Sequence, residues 1–178
     1  MRKSLEAISV VVLGYLVWIT WSALAGPNRL TGPVPIHYDA AGHVTAWGAP
    51  TGLMLLPVVA VMLYLGMTVV SRFPSSFNFP VRVLPSVRSA VEDITLDMIA
   101  WVKLELTLLF ATLQSAMIAG ARGSGPGLPP LLMPAFLVVI FGTVGWHFAA
   151  VLRVARRQLI KVRTEREGDN AGNGSAGA

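Results

Sequence analysis

Four apolar runs restrict what this chain can fold into more than any other feature. They cover about residues 5–25, 53–70, 99–119 and 131–152. A helix needs about 20 mostly apolar residues to cross the hydrocarbon core of a bilayer, and each run is close to that length. The expected fold class is an all-α integral membrane protein, a four-helix transmembrane bundle with a small ordered extracytoplasmic loop. Composition agrees. Of 178 residues, 54% are hydrophobic and 13% charged, against about 25% charged in soluble domains.

The charges sort by loop. Arg2 and Lys3 precede the first run, Arg72, Arg82 and Arg88 lie between the second and third, and Arg153, Arg156, Arg157, Lys161, Arg163 and Arg166 follow the fourth. The other two connections carry one basic residue each, Arg29 and Arg122. The positive-inside rule then puts both termini and the middle loop in the cytoplasm. Trp18, Trp21, Trp101 and Trp146 sit near run ends, where indoles prefer the headgroup level. Because the basic residues collect at run ends, the net charge of +5 reads as a topology signal, and nucleic acid is not an expected partner. The partner that composition implies is the lipid bilayer.

The domain reading is one membrane domain over 1–163, with an outer loop at 32–51, a cytoplasmic loop at 71–98 and a disordered tail at 164–178. The tail is rich in Gly, Asn, Ser and Ala and has little apolar surface to bury. A competing reading of the N-terminus is a signal peptide cut after Ala23-Leu24-Ala25, which leaves three spans. The cytoplasmic loop is rich in Pro and Phe from Arg72 to Pro85, which disfavours helix, and it reads as a strap along the membrane face. Ser89 and Glu92 have the spacing of a capping box opening the third helix.

The outer loop reads GPVPIHYDAAGHVTAWGAPT. Pro33 and Pro35 favour extended chain. Asp39 and Gly42 occupy the favoured ends of a type I turn, so residues 34–38 and 43–47 fit a small β-hairpin. Setting Tyr38 opposite His43 puts Ile36, Tyr38, His43, Thr45 and Trp47 on one face and His37, Asp39 and Val44 on the other. His37, Asp39 and His43 look like metal ligands at first sight. That parity separates His43 from the other two and leaves too few ligands for a structural zinc site. No metal and no cofactor are expected. Asp39 is read as capping the turn, and Tyr38 and Trp47 as resting on the membrane interface.

Pro35, His37, Tyr38, Asp39, Gly42, Trp47 and Gly48, placed between two spans, form a pattern that resembles the domain of unknown function in the SdpI family of bacterial membrane proteins. His43 falls where that pattern is loose. The best-known family member acts in immunity to a secreted killing peptide and in signalling through a bound repressor. The resemblance thus implies a recognition role for these seven positions, with a peptide or another membrane protein as partner.

Polar residues inside the spans offer a second candidate site: Lys103, Glu105 and Gln114 in the third and His147 in the fourth. Ionisable groups in a bilayer are costly, so they mark function or helix pairing. Measured from the cytoplasmic ends, Glu105 and His147 share a depth of about 8–9 Å, which predicts a direct or water-mediated contact. Helix-to-helix glue is favoured over a proton relay, and Lys103 is expected to snorkel to the headgroups. No HExxH, Walker A, GxGxxG or GxSxG motif is present. With no cysteine, thiolate metal sites and a cysteine nucleophile are excluded. The expected function is a non-enzymatic sensor or immunity-type protein. The alternative is a small transporter, or a subunit of one, that uses Glu105, His147 and Lys103.

Overall fold

The structure, a computed structural model, describes residues 1–79, 81–124 and 127–175, with side chains to Glu167 apart from Arg166. It is mostly helical: α1 (Arg2–Ala25), α2 (Leu55–Val70), α3 (Arg88–Ala121) and α4 (Leu132–Ser175). A two-stranded antiparallel sheet, β1 (Val34–Tyr38) and β2 (Val44–Gly48), lies between α1 and α2. Among the described residues three helices are long and apolar enough to cross a membrane: Arg2–Ala25, Pro50–Val70 and Leu132–Glu165.

The helix outside that set, α3, organises the rest. It packs against α1, α2 and α4 and buries Lys103, Glu105, Thr107 and Gln114. Those polar residues lower its apolar content, and they do so on surfaces covered by neighbouring helices. Its 34 residues span about 51 Å, longer than a bilayer core of about 30 Å. The contacts Arg2–Asp97, Glu6–Lys103 and Thr20–Gln114 keep a nearly constant sequence offset, so α1 and α3 run parallel in close register. Ala23, Val34, Leu53, Met117 and Ile118 form an apolar cluster where the hairpin meets the helix ends.

Several expectations are corrected. The second span opens with a 3-10 turn at Pro50–Met54 before α2 begins. The N-cap of α3 is Val87, without a side-chain cap bond. Ser89 therefore lies inside the helix, and Glu92 accepts from Arg88 Nε at 2.8 Å instead of closing a capping box. Asp93 and Asp97 both pair with Arg2, at 3.1 and 2.8 Å. The helix of α4 continues to Ser175, through most of the segment read as a disordered tail. Arg163–Glu167 at 2.9 Å and Lys161–Glu165 at 3.8 Å are i,i+4 pairs along it, a spacing that supports an exposed helix without a core. Residues 176–178 lie outside the described residues.

The segment 71–84 contains only a short 3-10 turn at Pro74–Ser76, as its prolines require. Phe77 and Phe79 lie across α3 and α4 and help to line a cavity there.

Candidate functional site

The outer hairpin forms as expected, with its register moved by one residue. Val34 pairs with Gly48, Pro35 with Trp47, His37 with Ala46 and Tyr38 with Val44, with irregularities on either side of His37. A one-residue slip exchanges the faces of one strand relative to the other, and the consequences are concrete. His37 Nδ1 hydrogen-bonds Thr45 Oγ1 across the strands. His43 belongs to the turn, where its ring Nδ1 is 3.2 Å from Asp39 Oδ2. The expected separation of His43 from Asp39 is therefore overturned. Among the described residues no three His, Asp or Glu side chains converge as metal ligands.

Asp39 holds the turn together. Its Oδ1 accepts from the backbone N–H of Ala41 at 2.9 Å and of His43 at 2.8 Å. Its own carbonyl accepts from Gly42 N at 3.0 Å, the closing bond of the expected turn. The His43 backbone N–H, helped by the His43 ring and the Ala41 N–H, lowers the Asp39 carboxyl below its ordinary pKa.

Gly42 is required twice over. Its φ of +84° is in the region that side chains disfavour, and a Cβ there would lie 1.7 Å from Leu128 O. The close approach has a purpose: Leu128 N donates to Gly42 O at 3.1 Å, tying the hairpin to the connection between α3 and α4. Gly127, at φ +90°, faces Gly42 O so closely that a Cβ would stand 2.5 Å from it.

One surface of the hairpin is seated on the helices. Val34 and Pro35 are buried, and a Cβ on Gly120 of α3 would lie 2.9 Å from Pro35 Cγ. Tyr38 packs on the apolar cluster at the helix ends instead of resting at a lipid interface. Its hydroxyl is buried without a hydrogen-bond partner, and burial raises its pKa. Gly48 passes 3.0 Å, measured from a Cβ position, from the Ile36 side chain. Ile36 and Trp47 remain 50% and 52% exposed, and His37 and Thr45 are exposed beside them.

The polar residues of α3 divide between two neighbouring surfaces. Lys103 does not snorkel, being 1% exposed. Its Nζ lies 2.6 Å from Glu6 Oε1, donates to Thr68 Oγ1 at 3.0 Å and sits 4.6 Å from the centre of the Tyr64 ring. The Tyr64 hydroxyl donates to Glu6 Oε2 at 2.7 Å. Farther along α3, Gln114 Nε2 donates to Thr20 Oγ1 at 2.8 Å and to Leu53 O at 3.0 Å. These groups join α1, α2 and α3, with Gln114 Oε1 buried without a hydrogen-bond partner.

Glu105 faces α4. Its Oε1 accepts from the Thr143 hydroxyl, and the Thr143 carbonyl accepts from His147 Nδ1 at 2.8 Å. Glu105 is thus level with Thr143, one turn along α4 from His147, and the expected direct contact between Glu105 and His147 is not made. Thr143 joins them in place of a direct contact.

Glu6, Tyr64, Thr68, Thr20 and Thr143 were not anticipated. For Glu6 a signal exists. It is an acid near the start of the first apolar run, and Lys103 is a base near the start of the third. Parallel spans bring such a pair to similar depth. Comparisons with protein-family models, with curated proteins and with solved structures return no match for this chain.

Proposed function

We propose that the chain is a non-enzymatic recognition protein of the bacterial inner membrane, a sensor or immunity-type protein related to the SdpI family. In this reading α3 is a fourth span, both termini are cytoplasmic, and the hairpin faces outward to meet a peptide or another membrane protein. Support for the fourth span comes from the burial of the α3 polar residues against its neighbours. A membrane helix can carry such groups when partners satisfy them.

The observation that carries the recognition reading is an anchored hairpin with exposed side chains. It is fixed by Val34, Pro35, Tyr38 and the Gly42–Leu128 bond. Ile36, His37, Thr45 and Trp47 remain exposed on it. A rigid surface with an aromatic anchor and adjacent polar groups loses little entropy on binding and resembles the centre of a protein interface.

The test is site-specific photocrosslinking in native membranes, with a photoreactive residue at position 47 and a control at Leu137 on the exposed face of α4. The expected result is a discrete macromolecular adduct from position 47 and lipid adducts from position 137. Lipid adducts alone from both positions overturn the reading.

A further inference from the structure

We propose that the cavity between the Phe77–Phe79 segment, α3 and α4 binds lipophilic cations, with Glu105 supplying the countercharge. The cavity has a volume of about 340 Å³, within the range of small-molecule sites, roughly 300–1,000 Å³. Phe77, Phe79, Ile99, Phe148 and Val151 make it mostly apolar, and His147 is in its wall. The rings of Phe77 and Phe79 meet edge to face, with centroids 6.5 Å apart and planes at 86°. Aromatic walls attract cations as well as apolar groups.

Glu105 stands outside the lining and is joined to His147 of the wall through Thr143. Glu105 is 7% exposed, and its Oε2 is buried without a hydrogen-bond partner. Among the described residues no Lys or Arg pairs with it, whereas both oxygens of Glu6 are taken, by Lys103 and Tyr64. Glu105 reaches the cavity through Thr143 and His147, one helical turn apart. The His147 Nδ1–H is committed to the Thr143 carbonyl, which leaves Nε2 to accept from an ammonium group.

A buried carboxylate is costly without a counterion. A small hydrated metal ion needs several oxygen ligands, and one carboxylate oxygen beside a hydroxyl is too few. A lipid chain fills the apolar space and leaves the charge unanswered. An ammonium or phosphonium ion with aromatic or alkyl substituents answers both.

The experiment is equilibrium binding of tetraphenylphosphonium to the full-length protein in non-ionic detergent. Saturable binding is expected. Glu105→Gln should weaken it at least tenfold, and Phe79→Ala, a loop change that leaves the helices intact, several-fold. Leu137→Ala, away from the cavity, should leave it unchanged. Neutral triphenylphosphine oxide should compete poorly. Binding by either Glu105→Gln or Phe79→Ala within twofold of the parent overturns the proposal, as does equal competition by the neutral compound. The readout does not involve the outer hairpin, so a negative result leaves the recognition reading standing.

Discussion

Glu6 and Lys103, on the parallel helices α1 and α3, form an ion pair at 2.6 Å in which the lysine is almost fully enclosed. Tyr64 and Thr68 of α2 complete its surroundings, so one cluster joins three helices. Removing either charge alone strands the other. Glu6→Gln or Lys103→Met should each cost about 3 kcal/mol or more, while the double variant should recover most of that loss. Unfolding of the detergent-solubilised protein, run as a double-mutant cycle, measures the coupling. Additive losses would show that the pair does not hold the helices together.

Gln114 provides a second junction, with no charge involved. Gln114→Leu removes donors to Thr20 and to the Leu53 carbonyl, and the expected loss is about 1–2 kcal/mol, since buried interhelical bonds in membranes are individually modest. The same unfolding assay serves, and an unchanged midpoint would contradict the assignment.

Gly42→Ala tests the link between the two outer connections. The added methyl meets Leu128 O, so the Gly42–Leu128 bond must break while the helices persist. Hydrogen exchange should rise at Leu128 N–H and in residues 39–43, with protection of α3 little changed. The destabilisation should exceed about 1 kcal/mol, the usual scale for Gly→Ala at positive φ.

Asp39 predicts the acid behaviour of the turn. Its pKa is lowered in the folded state, so its contribution is fully present above the unfolded carboxylate pKa. That contribution is lost as pH falls through the lower folded value. The amide resonances of Ala41 and His43 should therefore hold their positions through the ordinary carboxylate range and move only below it. In Asp39→Asn the acid-induced movement should disappear.

Orientation can be checked directly, because the chain contains no cysteine. Thr45→Cys should react with an impermeant maleimide on intact spheroplasts, and Ser76→Cys only after permeabilisation. The opposite pattern would reverse the proposed topology.

The helices were largely legible in the residues because apolar length is a local property. The hairpin strands were also legible, from Pro35, Asp39 and Gly42. Their register was not, because the Gly42 turn is tied to Gly127 and Leu128, more than eighty residues away. Glu6 stands at the start of the first apolar run, and nothing local marks its partner. Its role depends on where α3 places Lys103. Helix rise brought Glu105 to within a turn of His147, whereas the intervening Thr143 depended on the rotation of α4, which apolar periodicity did not fix.

The bond between Gly42 and Leu128 changes the mechanics of the molecule. The connections on either side of it would otherwise move independently, and here they are clasped. If α4 swings relative to the other helices, its fulcrum is therefore at the clasp. Displacement then grows with distance from it, so α4 moves more beside Phe77 and Phe79 than at its outer end.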